Sequence, residues 1–166
     1  MNLLTIFALS GLINSVFSIS FGILIFLKNK KNKLNFIFFL LSISVGLWSL
    51  SYYFWLTSAA KESAIFWLKF LSAASVLIPI FYFHWVLVFL NKTKDKILNI
   101  ILIFSYLLGF FIIISTFLKT SLVIKDVKTK LIFPYWPDAG ILYSVYILIL
   151  YLGLVFVSIT LLSKSL

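Results

Sequence analysis

Ile97-Leu98-Asn99-Ile100-Ile101-Leu102-Ile103-Phe104-Ser105-Tyr106-Leu107-Leu108-Gly109-Phe110-Phe111-Ile112-Ile113-Ile114-Ser115-Thr116-Phe117-Leu118 runs from Lys96 to Lys119 without one charged side chain. A helix crosses the hydrocarbon core of a bilayer in about 20 residues, so this stretch is long enough to span. Four further charge-free runs flank it: Leu3–Leu27, Leu34–Leu56, Phe70–Leu90 and Ile141–Ser163. The third helix is expected to begin somewhat before its charge-free run, giving a span over roughly 66–90. Backbone inside lipid must satisfy its own hydrogen bonds, which leaves helices or closed barrels. The short alternating segments of a barrel are missing. The fold class is therefore all-α, a polytopic transmembrane bundle of about five helices forming a single domain over residues 1–166.

Composition agrees. Hydrophobic residues make up 63% of the chain and charged ones 11%, with mean hydropathy +1.18. Soluble domains are about half apolar and about a quarter charged, and a soluble fold of this length could not bury so many Leu, Ile and Phe side chains. All 14 basic residues are lysines, and the net charge is +10. They lie between or at the edges of the apolar runs, where they attract anionic headgroups and not nucleic acid. The lipid bilayer is thus the first partner expected, and nucleic acid is not one. Without cysteine there are no disulfides or thiolate sites. Abundant Lys, Asn, Ile and Phe without arginine fit a low-GC bacterial genome.

Lysine placement sets the expected orientation. The first loop, Lys28-Asn29-Lys30-Lys31-Asn32-Lys33, and the third, Asn91-Lys92-Thr93-Lys94-Asp95-Lys96, are short and dense in lysine. Such loops stay in the cytoplasm. The N-terminus is then outside, the C-terminus cytoplasmic, and the protein multi-pass in the cell membrane. No basic region precedes the first apolar run, so it reads as a retained helix and not a signal peptide. Tyr52, Tyr53, Trp55, Trp67, Tyr135, Trp136 and Tyr143 fall near the expected outer boundary, the depth amphipathic rings prefer.

The outer loop 119–140 is too long for a plain connector. Its β-branched stretch Leu122–Phe133 predicts a small β-hairpin turning near Asp126–Lys128. Phe133-Pro134-Tyr135-Trp136-Pro137 is then expected to lie against the membrane surface.

Few residues offer chemistry. His84, in Phe81-Tyr82-Phe83-His84-Trp85, is the only histidine. An ionisable group within a span raises a functional hypothesis; the structural reading is an imidazole hydrogen-bonded to a neighbouring helix. One histidine cannot supply bis-histidine haem ligation within one copy, and phosphorylation of His84 would need water and ATP. Pro79 removes one helical hydrogen bond and clashes with the Ser75 carbonyl, which implies a kink and offers a hinge. Ser10, Asn14, Ser18 and Gly22 recur at spacing four beside Gly11 and Ser15, with Ser42 and Gly46 on the second helix. Small residues permit close helix approach, and Asn14 can bond across it; a polar ligand pocket is the other reading. There is no phosphate-binding glycine loop, no metal-ligand spacing and no nucleophile with a base. No catalytic, cofactor-binding or metal residue is assigned, and no cofactor is expected. No carboxylate lies within a span, which weakens proton-coupled transport.

The residues also carry a family pattern: Phe38-Phe39-Leu40-Leu41 after a basic loop, Leu47-Trp48-Ser49-Leu50-Ser51-Tyr52-Tyr53, and Ala64-Ile65-Phe66-Trp67-Leu68-Lys69-Phe70. Ile78-Pro79-Ile80-Phe81-Tyr82-Phe83-His84, Val88-Phe89-Leu90 and Trp136-Pro137-Asp138-Ala139-Gly140-Ile141-Leu142-Tyr143 complete it. This pattern resembles the N-terminal seven-helix sensor region of membrane histidine kinases; similar regions precede diguanylate cyclase domains. The resemblance implies a non-catalytic sensor module of a two-component phosphorelay, with two more helices and a cytoplasmic output domain in cis, and a homodimer as one arrangement open to it. The chain ends at Lys164-Ser165-Leu166, after its fifth span, so a fragment is expected. Trp48, Tyr53, Trp67, Tyr82 and His84 are the candidate sensing pocket, with Pro79 as hinge candidate. A small transporter or carrier subunit is the alternative.

Overall fold

The computed structural model describes residues 3–118 and 121–165; Lys119 and Thr120, where the outer loop begins, and Leu166 lie outside them. Among the described residues the helices are α1 (Leu3–Lys28), α2 (Lys33–Leu56), α3 (Lys61–Phe89), α4 (Lys96–Phe117) and α5 (Ile141–Ser163). All five are long and apolar enough to cross a membrane. The outward face is as apolar as the interior: Phe17, Ile97 and Phe156 are 70%, 70% and 72% exposed. In water such a face would drive aggregation; in a bilayer it meets acyl chains.

The basic loops are capped by their own polar residues. Asn32 Oδ1 accepts from the Leu34 amide at 2.8 Å, opening α2. Asp95 Oδ1 accepts from Ile97 and Leu98, both at 3.0 Å, opening α4. α3 stops at Asn91, whose φ of 55° is left-handed, and the Lys92 amide returns to the Leu87 carbonyl at 2.8 Å. Asparagine tolerates that conformation at a helix end. These turns form the lysine-rich pole of the bundle.

α3 starts at Lys61, earlier than the expected 66, and carries Lys69 within it. Long lysine stems follow the apolar surface while the ammonium stays in the headgroup layer, so charge does not end the helix. α3 is also the hub. One cluster joins Leu68 and Ala64 of α3 to Ala8, Trp55 and Leu56 of α1 and α2. Another joins Val76, Ile80 and Phe83 of α3 to Leu102 and Ile112 of α4 and Tyr146 and Leu150 of α5.

α1 meets α2 through Ala8, Gly11, Ser15 and Gly22, the buried residues of α1. This face is turned slightly from the spacing-four set; Ser10 and Asn14 flank it. At Gly46 an added Cβ would run into Ile19, so α2 can approach α1 there only without a side chain. Asn14 Nδ2 donates to Ser49 Oγ at 2.6 Å across the contact.

The loop between α4 and α5 contains the hairpin, β1 (Ile124–Lys130) antiparallel to β2 (Phe133–Ala139). Its turn is at Leu131-Ile132, between the paired Lys130 and Phe133, and not near Asp126–Lys128. The polar residues expected at the turn lie in β1 because they have partners along the strand. Lys61 Nζ is 2.7 Å from Asp126 Oδ1, and Lys128 Nζ is 3.1 Å from Asp138 Oδ1. The tip falls to Leu131, 88% exposed at φ 54°, a conformation costly for a branched side chain. Phe133–Pro137 lies within β2, and Phe133, Tyr135 and Trp136 pack on the helices. Pro134 and Pro137 are tolerated because a two-stranded sheet has only edges.

Candidate functional site

The hairpin is fixed to the bundle by three kinds of contact. Trp55 Nε1 donates to the Tyr135 carbonyl at 2.8 Å, and Tyr135 Oη donates to the Ala59 carbonyl at 3.1 Å. Phe133 stacks between Phe7 and Trp55, with centroids 6.4 and 6.1 Å away. Lys61 pairs with Asp126 and holds its carboxyl below the usual carboxylate range, mainly through the hydrogen bond between them. Where the hairpin enters α5, the Gly140 amide donates to the Val123 carbonyl at 2.9 Å. An added Cβ at Gly140 would strike the Leu122 carbonyl, so glycine is needed for that crossing.

Beneath the hairpin is a cavity of about 410 Å³. Trp48, Tyr52 and Trp55 of α2, Ser72 of α3, Trp136 of β2 and Tyr143 of α5 are among its walls. No described residue around it carries a formal charge. Several outer-boundary aromatics thus turn inward: Trp55 is only 7% exposed.

The five residues singled out for sensing are not gathered into one cavity. Trp48 lines the hairpin cavity. Trp67 lines another, of about 360 Å³, between α2, α3 and α4, and stacks on Phe54 with centroids 4.3 Å apart. Tyr53 packs edge-on against Phe54. Tyr82 and His84 lie toward the lysine-rich pole, where His84 Nδ1 and Tyr106 Oη of α4 are 2.8 Å apart. Tyr52, Trp55, Ser72, Trp136 and Tyr143 were not singled out as pocket residues. Aromatic content flagged several of them, but helix phase and hairpin register decide which rings face inward.

Pro79 sits within α3 and is buried. Lacking an N–H, it leaves the Ser75 carbonyl without its helical donor. Tyr151 of α5 supplies one: its hydroxyl donates to that carbonyl at 2.9 Å and lies 3.1 Å from Ser75 Oγ. Tyr146 Oη is 3.5 Å from the same Ser75 Oγ. In an α-helix, residues five apart point about 140° away from each other. The middle of α5, Ile147–Leu154, is wound as a π-helix, whose i→i+5 bonding brings residues five apart toward one face. The wide winding is what lets Tyr146 and Tyr151 reach Ser75 together. Nothing in the local sequence announces it.

The geometry therefore has two stations on one helix. α3 borders the hairpin cavity through Leu68, Leu71 and Ser72, and one turn later is tied to α5 at Ser75. Leu68 at the cavity and Ser75 at the contact with Tyr151 are separated by less than three turns of α3.

Comparison with curated proteins and with solved structures finds no match. Comparison with protein families finds one: the model described as the N-terminal 7TM region of histidine kinase matches residues 11–166. The match takes in α2 to α5, the hairpin and most of α1. The chain belongs to the family of N-terminal seven-transmembrane regions of histidine kinases.

Proposed function

We propose that the chain is the membrane-embedded input module of a two-component sensor histidine kinase, receiving its signal at the hairpin pole and passing it through α3 to α5. Family membership supports the kinase connection. The observation that carries the route is the Tyr151–Ser75 contact at the Pro79 break. In this reading the Pro79 break alternates between two arrangements, with the tyrosine bound or released, and a signal need only bind them unequally. Pro79 is thus the hinge and Tyr151 its latch. The lysine-dense loops support a cytoplasmic lysine-rich pole, with the N-terminus outside and the hairpin facing out. The module itself performs no chemistry; phosphoryl transfer belongs to an output domain on the cytoplasmic side.

An antibody against the hairpin, used on native membranes, tests this. The recovered protein, given ATP, should acquire acid-labile, alkali-stable phosphate, the signature of phosphohistidine. Recovery of intact protein that never forms phosphohistidine, and instead moves a solute in vesicles, would support a carrier and end the kinase reading.

A further inference from the structure

We infer that the hairpin cavity is a binding site for a neutral, ring-bearing small molecule with one hydrogen-bonding group, held by stacking between tryptophan and tyrosine rings and by the Ser72 hydroxyl.

Size comes first. At about 410 Å³ the cavity lies within the usual range for small-molecule sites, about 300–1,000 Å³. Its boundary is shared by α2, α3, α5 and both hairpin strands, so an occupant would touch the hairpin and three of the helices together.

The walls give the chemistry. Trp48, Tyr52, Trp55, Trp136 and Tyr143 present ring surface, which favours stacked or edge-on rings in the occupant. Among the described residues no formal charge lines the space, so an anionic ligand would lose its hydration without a partner, a heavy cost. Three lysines of this pole have partners of their own: Lys61 with Asp126, Lys128 with Asp138, and Lys130 over the Trp136 ring at 5.0 Å. Uncharged ligands are therefore favoured over anionic ones.

Ser72 supplies the second, independent observation. It is 4% exposed and lines the cavity. Among the described residues its hydroxyl has no hydrogen-bond partner, although no fully enclosed side-chain polar atom goes unpartnered. Its oxygen therefore opens onto the cavity. A hydroxyl open to the cavity can donate to or accept from a group placed there. Ser72 precedes Ser75 by less than one turn of α3, so filling the site acts next to the latch.

The site rests on the input-module reading only for what its occupancy does. Binding is tested without kinase output, on the full-length protein in lipid nanodiscs. The probe is 6-bromo-2-naphthol, neutral at pH 7, whose bromine quenches tryptophan emission. Saturable quenching is expected. Ser72→Ala should weaken it about fivefold, the loss of one hydrogen bond, and 2-bromonaphthalene, which lacks the hydroxyl, should bind both proteins equally. Ala139→Phe, which fills the cavity from the hairpin side, should abolish saturation, and naphthalene-2-sulfonate should not compete. Linear quenching identical in the wild type and Ala139→Phe would mean that the probe only dissolves in lipid, and would overturn the site. Competition by the sulfonate would overturn the ligand class. Absent binding in a protein that still forms phosphohistidine removes the site alone; saturable binding in one that never does removes the kinase reading alone.

Discussion

Replacing Tyr151 by phenylalanine removes one oxygen, and the structure specifies what that oxygen does. It donates to the Ser75 carbonyl at 2.9 Å, which Pro79 has deprived of its helical donor. Interhelical hydrogen bonds in membranes average about 0.6 kcal/mol and reach about 1.7. A buried carbonyl left unsatisfied costs about 1–3 kcal/mol. Tyr151→Phe should therefore destabilise the bundle by about 1.5 kcal/mol. In a Pro79→Ala background the cost should shrink, because the alanine offers its own backbone N–H to the same carbonyl and Tyr151 becomes redundant. The double-mutant cycle should show a coupling of about 1 kcal/mol, roughly fivefold in the unfolding equilibrium. Reversible unfolding in mixed micelles with increasing dodecyl sulfate, followed by tryptophan emission, measures all four proteins. Additivity within about 0.3 kcal/mol would mean that Tyr151 does not serve the carbonyl Pro79 frees, and the latch would fall.

Three other outcomes follow from the same geometry. A reporter fused after Lys94 should behave as cytoplasmic and one after Lys128 as extracytoplasmic; the reverse labelling at both sites would invert the bundle and place the cavity inside. His84→Leu and Tyr106→Phe should each cost about 0.6 kcal/mol and together no more than either alone, since both break the same 2.8 Å bond; His84→Gln should retain most of the stability, and additive losses would separate the two residues. The hairpin should loosen in acid: the Asp126 carboxyl is held below its ordinary range by Lys61, so its contribution is complete above the unfolded carboxylate pKa and is lost as pH falls through the lower folded value. Tryptophan emission titrated downward in pH should show this step, and Asp126→Asn should abolish it; a step that persists in the variant belongs to another group.

The spans were open to reading because lipid imposes one rule on a whole segment. Ile97–Leu118 needs no knowledge of its neighbours to be recognised as a membrane helix. α3 begins at Lys61, a turn before the span expected from about 66, because lysine stems let a helix run on past its apolar stretch. The hairpin showed in its β-branched residues, but its turn did not. Asp126 and Lys128 look like turn residues until Lys61 and Asp138 are placed beside them. Pro79 announced a break, and Asn14 a cross-helix bond that Ser49 fulfils. Which residue would answer the Pro79 break was hidden, because the π-helical phase of α5 aligns Tyr146 with Tyr151 and leaves no mark in composition. Helix phase also decides where the candidate sensing residues point. Trp48 and Trp67 are both aromatic and near the same depth, yet face different cavities.

The central claim is that the position of the hairpin on the bundle sets the output of a histidine kinase. Residues 1–166 contain no cysteine, so a cysteine pair introduced among them is the only one in the membrane module. Lys61→Cys and Asp126→Cys replace the pair that joins α3 to β1, and a short bis-methanethiosulfonate bridges them reversibly. The rate of phosphohistidine formation is then measured in the full-length protein, bridged and after release by dithiothreitol. The account predicts a rate that changes on release, with no such change in either single-cysteine variant. Equal rates in the bridged and released protein would contradict it.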